Sequence, residues 1–126
     1  MKKVALFVCL LVLMSCKKVS EATFGQPNPT EVSQTPEELG KSIFEGKGNC
    51  VACHKINEKL VGPSLQDIAK NYKVQNGNLV SFLKDDAKPI IDPSQYEMMK
   101  TNLALTKEMS DEELKGLEAY IYGSIK

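Results

Sequence analysis

Apolar side chains recur at helical spacing along the second part of the chain, and each run begins at a residue that can cap a helix. The first run starts at Thr35, which is followed by Pro36 at the first helical position and by Glu38 three residues after the cap. Its apolar face consists of Leu39, Ile43 and Phe44. This pattern predicts a first helix that ends at Gly46 and Gly48.

Three further runs share these signals. Ser64 caps a second run, and the turn at 76–78 leads into a third that begins at Leu79. Ser110 starts the last run and is followed by three acidic residues, which suit the positive end of a helix. The apolar face of this last run consists of Leu114, Leu117, Ile121 and Ile125. Since strand signals are scarce, the sequence predicts an all-α domain of about four short helices over residues 35–126.

The first fifteen residues have the pattern of an export signal. Lys2 and Lys3 precede an apolar run over 4–14 that contains no charge. As a helix this run would span about 16 Å, roughly half of the ~30 Å hydrocarbon core of a bilayer. We therefore expect a signal peptide over residues 1–15 rather than a permanent transmembrane helix.

The residues that follow resemble the lipobox of bacterial lipoprotein signal peptides. The segment Leu13-Met14-Ser15-Cys16 has a small residue directly before the cysteine and an aliphatic residue two places earlier. The resemblance implies cleavage before Cys16, acylation of that residue and a membrane tether on the periplasmic side of a bacterial envelope; the alternative is a plain secretory signal. Residues 16–34 are polar and hold two prolines, so they are expected to form the lipidated N-terminus and a flexible linker.

Composition narrows the possible functions. The chain has 126 residues, with 16 lysines and 16 acidic residues, and its formal net charge is zero. It contains no arginine and no tryptophan. A nucleic-acid footprint and a bidentate arginine clamp for phosphate are therefore not expected.

One short motif carries the chemistry. Cys50-Val51-Ala52-Cys53-His54 is a C-x-x-C-H sequence, which indicates covalent attachment of one haem c. The two thiols bond the vinyl groups, and the next residue presents its imidazole to the iron. Three alternatives compete: a structural zinc site, a thioredoxin-like dithiol and a plain disulfide. Zinc normally takes four ligands, and His54 is the only histidine in the chain.

With this motif, residues 37–125 resemble the class I (mitochondrial-type) cytochromes c, particularly small bacterial members. The segment Val61-Gly62-Pro63-Ser64-Leu65 is similar to the family's G-P-x-L turn. The resemblance implies the cytochrome c fold and a carbonyl of Pro63 that accepts the Nδ1 proton of His54. It also implies that the last helix packs across the first.

The family places a methionine on the other side of the iron, between its third and last helices. This chain offers Met98, Met99 and Met109 there. Tyr96-x-x-Met99-x-x-Asn102 resembles the ligand loop of small bacterial relatives, which favours Met99 over Met98, whereas Met109 has the position of a hydrophobic staple. We expect Met98 and Met99 on a short helical turn, where adjacent residues point ~100° apart.

Histidine–methionine ligation fills both axial positions, so the sequence predicts a one-electron carrier rather than an enzyme. Its partners would be redox proteins of the cell envelope. The alternative is a ligand-binding haem protein, such as a gas sensor or small peroxidase, whose sixth ligand is absent or displaceable. Lysines near the motif and the methionines are interleaved with acids, which favours a solvated surface over a docking ring; they are Lys47, Lys55, Lys59, Lys100 and Lys107.

Overall fold

A computed structural model describes residues 34–126 of the chain. The predicted signal peptide, Cys16 and the linker up to residue 33 lie outside the described residues. Within residues 34–126 the protein consists of five α-helices and contains no strand, so the all-α prediction is confirmed.

The helices are named α1 to α5 in chain order, and two 3-10 turns lie between them. The helices are α1 (Pro36–Glu45), α2 (Leu65–Val74), α3 (Leu79–Leu83), α4 (Tyr96–Thr106) and α5 (Asp111–Gly123). The 3-10 turns are Cys50–Ala52 and Pro93–Gln95. The first turn begins at Cys50 of the predicted haem-attachment motif, and the second leads directly into α4.

Helix α4 is longer than the short helical turn that the sequence predicts for this segment. It has 11 residues, and the fold therefore has one helix more than the four expected. Its apolar side chains, Met98, Met99, Leu103 and Leu105, are spread around the helix. Because no single apolar stripe runs along α4, the helical period is weak in the sequence.

The predicted helix starts are present as hydrogen bonds. Thr35 and Glu38 form a capping box at α1, and Ser110 and Glu113 form one at α5. The hydroxyl of Ser64 accepts from the backbone N–H that lies three residues later, at a distance of 3.0 Å. These short-range bonds satisfy backbone donors that a helix start leaves free, which is why the starts were visible in the sequence.

Helices α1 and α5 cross at a pair of glycines. A Cβ atom built on Gly40 would lie 1.9 Å from the backbone oxygen of Gly116. Next to this crossing the rings of Phe44 and Tyr120 pack with their centroids 5.4 Å apart. The absence of a side chain at Gly40 therefore lets the two helix backbones touch. This contact packs the first helix of the domain against its last helix.

Replacing Gly40 with alanine is expected to destabilise the fold by about 2–3 kcal/mol, since overpacking of a tight contact costs this much when the neighbour is backbone. Urea unfolding of the Gly40→Ala protein measures the change. Lys41→Ala, at the next and exposed position of α1, is the matched control and should stay within about 0.5 kcal/mol of the parent protein. Equal stabilities for the two variants would contradict the close crossing.

The core lies around α5, which packs against α1, α2 and α3. Its buried side chains include Ile43, Phe44, Leu65, Ile68, Leu79, Leu83, Leu114, Leu117 and Ile121. Leu103 of α4 is also fully buried. None of the helices in the described part of the chain has the length and apolar character needed to cross a membrane.

Candidate functional site

His54 is held by the turn that begins eight residues after it. Its Nδ1 atom lies 2.7 Å from the carbonyl oxygen of Pro63. Two backbone bonds brace this pair: His54 N–H donates to Cys50 at 2.9 Å, and Gly62 N–H donates to Cys53 at 2.9 Å. The C-x-x-C-H segment and the Gly62-Pro63 turn therefore form one unit with a fixed imidazole orientation.

Gly62 is buried against the face of this imidazole. A Cβ atom at position 62 would lie 2.4 Å from Cε1 of His54 and 2.9 Å from both ring nitrogens. Any side chain there would displace the ring or the turn. Glycine is thus required at this position by the close approach of the backbone to His54.

Burial and hydrogen bonding set the protonation state of the site. Burial lowers the pKa of His54 more than the hydrogen bond with the Pro63 carbonyl raises it, so the imidazole is neutral near pH 7. Because Nδ1 carries the proton that is donated to Pro63, the lone pair of Nε2 is available to a metal. Burial raises the pKa of Cys50 to about 11, which keeps this thiol protonated.

A largely apolar cavity of about 220 Å³ opens in front of this unit. Cys50, Cys53 and His54 line one part of it. The rest is lined mainly by aromatic and aliphatic side chains from all parts of the domain, among them Phe44, Ile68, Tyr72, Phe82, Ile90 and Leu117. Cys50 and Cys53 are free thiols, and within residues 34–126 no three His, Cys, Asp or Glu side chains form a metal-binding group.

The three candidate methionines have different environments. Met98 and Met99 both line the cavity from helix α4. Met98 is 61% exposed, whereas Met99 is partly buried and packs against the core. Met109 is buried in the core, where Leu114 is also found, and it is not among the residues that line this cavity.

Sequence reasoning missed part of the cavity wall. Ile90 and Ile91 line the cavity from the irregular segment before α4. Two adjacent apolar residues in a loop that is otherwise polar and rich in proline are a usable signal, because such residues need a buried surface. The side-chain amide of Asn102 donates to the carbonyl of Gly48 at 3.3 Å, which joins α4 to the chain just before the cysteines.

The chain is similar in sequence to known proteins that are described as cytochromes c. A family model described as Cytochrome c matches residues 37–123. The chain is 41% identical over 49 residues to cytochrome c-551 of Pseudomonas denitrificans, which is 39% of this chain and 57% of that protein. It is 49% identical over 54 residues to cytochrome c-551 of Pseudomonas aeruginosa, covering 40% of this chain and 51% of that protein.

A shorter match has higher identity. The chain is 58% identical over 26 residues to cytochrome c-552 of Nitrosomonas europaea, covering 21% of this chain and 25% of that protein. The chain thus spans from a quarter to rather more than half of the length of these curated relatives.

Proposed function

Because this chain belongs to the cytochrome c family, we propose that it carries single electrons between redox proteins in the envelope of a bacterial cell. The observation that supports this role most strongly is a pair of potential ligands on one apolar cavity. A neutral, oriented imidazole and a partly buried thioether both line it, and they belong to His54 and Met99.

The cofactor is the haem c of this family, an iron porphyrin that is covalently bound. The residues present fit this group, since the cavity is apolar and two thiols and a neutral imidazole line it together. We assign the two thioether bonds to Cys50 and Cys53, the proximal iron ligand to His54 and the distal ligand to Met99. Met98 is the alternative distal ligand.

When bound, haem c supplies an iron that gains or loses one electron. Three features of the protein suit a one-electron transfer without further chemistry. Pro63 accepts the Nδ1 proton, so the His54 imidazole keeps one tautomer and one orientation. The soft, neutral thioether of Met99 favours the reduced metal. The apolar side chains of the cavity exclude water, and with both His54 and Met99 bound the iron would have no position open for a substrate.

Absorption spectra with and without added ligands distinguish the electron-carrier proposal from the ligand-binding alternative. We expect the oxidised protein to show the weak red absorption band of an iron–methionine bond and to bind added cyanide slowly. The reduced protein should likewise resist carbon monoxide. Fast binding of either ligand without that band would favour a gas sensor or a small peroxidase instead.

The surface favours apolar rather than charged docking. Each of the five lysines near the motif and the methionines has a carboxylate within 4.0 Å, the pairs being Lys47–Glu113, Lys55–Glu58, Lys59–Asp92, Lys100–Glu97 and Lys107–Asp85. Exposed apolar side chains lie beside the cysteines and on α4, including Val51, Val61 and Met98. A partner held by a small apolar contact would dissociate quickly, as electron transfer requires.

We propose that Cys16 is acylated and tethers the domain to the membrane through the linker. Replacing Cys16 with alanine should then release the protein from the membrane fraction while its absorption spectrum stays unchanged. Fractionation of cells that express the parent protein and the Cys16→Ala variant measures this. Replacing Ser20 with alanine, in the linker, is the control and should leave the protein attached. A variant that stays with the membrane would contradict the lipid tether.

A further inference from the structure

Two residues after helix α3, Asp85 lies in a backbone conformation that favours glycine. The N–H groups of Asp85 and Asp86 donate to the carbonyls of Phe82 and Ser81, both at 2.9 Å, which is the hydrogen-bond pattern of a Schellman motif. Asp85 occupies the left-handed position of this motif, with φ at 61°. Glycine is the usual residue there because it has no Cβ, so the presence of an aspartate points to a use for its side chain.

The carboxylate of Asp85 contacts both ends of helix α4. The hydroxyl of Tyr96, the first residue of α4, donates to Oδ1, and the ammonium of Lys107, at the C-cap, lies 2.7 Å from Oδ2. The two donors are separated by about three turns of ~3.6 residues, so they lie on one face of α4. The Asp85 side chain is only 18% exposed, and hydrogen bonds from Lys107 and Tyr96 lower its pKa, which keeps it ionised.

A second bond joins the same two segments. The buried hydroxyl of Thr106 donates to the carbonyl of Leu83, the last residue of α3. The close backbone packing of α4 is mainly with the 3-10 turn that precedes it, rather than with α1, α2 or α5. The end of α3 therefore supplies side-chain and backbone partners that hold α4 in place.

We propose that Asp85 is a positioning residue, which holds Met99 against the cavity by fixing both ends of helix α4. This inference rests on the proposed role of Met99 as distal ligand. Met99 lies one turn after Tyr96, on the part of α4 between the two contacts of the carboxylate. Without these contacts α4 would be held at fewer points, mainly through Thr106, Asn102 and the buried Leu103, and Met99 would leave the iron more often.

Two substitutions separate this role from a purely local one. Asp85→Gly removes the carboxylate and also relieves the strain of the left-handed backbone. If the side chain of Asp85 mattered only within its own turn, the protein would tolerate this substitution well. Asp85→Asn keeps the shape and removes the charge. Asp86→Asn, at the exposed neighbouring position, is the matched control for the loss of one negative charge.

The experiment uses the haem-loaded protein and three readouts: amide hydrogen exchange, the rate of cyanide binding and the midpoint potential. We expect both Asp85 variants to exchange the amide hydrogens of α4 roughly tenfold faster, while exchange in α1 and α5 is unchanged. We also expect cyanide to bind about five times faster. Each variant loses the strong, charge-assisted hydrogen bonds of Asp85, so Met99 should leave the iron more often and expose it to cyanide. The midpoint potential should fall in the Asp85 variants, whereas loss of a negative charge alone, as in Asp86→Asn, should raise it slightly.

Unchanged exchange in α4 would overturn the proposal. So would faster exchange in α4 together with parental cyanide binding and a raised potential, because Asp85 would then hold the helix without positioning the ligand. Met99→Ala in the same assays tests whether Met99 is the iron ligand. If that variant has the parental spectrum, the ligand assignment fails, and exchange in α4 still decides whether Asp85 fixes the helix.

Discussion

Replacing Met99 with alanine is expected to lower the midpoint potential by an amount on the order of 100 mV or more, because axial ligands are a main determinant of haem potentials. The variant should also lose the red absorption band and bind cyanide rapidly, since one axial position is then open. Potentiometric titration followed by absorbance measures both effects. We expect these effects to be large because no other side chain on α4 could replace Met99 as a soft ligand from a partly buried position.

Met98→Ala is the matched control for this experiment. Met98 lines the same cavity but is 61% exposed, so its loss should leave the band and the slow cyanide binding nearly unchanged. If Met98→Ala shows the large effect and Met99→Ala does not, the two residues have been assigned in the wrong order.

Replacing Gly62 with alanine is expected to destabilise the haem-loaded protein by about 3 kcal/mol, from overpacking together with a weakened hydrogen bond. The new Cβ would lie 2.4 Å from Cε1 of His54, so the ring must turn away from the Pro63 carbonyl or the turn must shift. Urea unfolding of the purified protein measures the loss. The yield of covalently loaded protein should fall as well.

Val61→Ala is the control for Gly62→Ala, since Val61 is the neighbouring residue and is 40% exposed. It should change the stability by less than about 1 kcal/mol, as surface substitutions generally do. Equal stability of the parent protein and the Gly62→Ala variant would show that the backbone does not press on the imidazole.

The helices whose starts could be predicted are those with local signals. Thr35, Ser64 and Ser110 cap their helices through hydrogen bonds that span three residues, and such bonds are encoded within a single short segment. Helix α4 lacked such a signal. Its N-cap residue, Gln95, makes no side-chain capping bond, and the apolar residues of the helix do not form a single stripe.

In the candidate site, too, some parts are encoded by a short local segment and others depend on contacts with distant residues. The C-x-x-C-H motif is contiguous, so the sequence alone could identify its chemistry. The preference between Met98 and Met99 depends on which way α4 is rotated, and this is set by contacts with residues far away in sequence. The role of Asp85 depends on Tyr96 and Lys107, which lie 11 and 22 positions further along the chain, so no local pattern could reveal it.

An electron-counting redox titration of the purified mature protein tests the proposed carrier role most directly. We predict a single reversible transition that consumes one electron per polypeptide, with no change in the number of iron ligands between the two states. A transition that needs more than one electron, or a reduced form that promptly takes up carbon monoxide, would contradict the account.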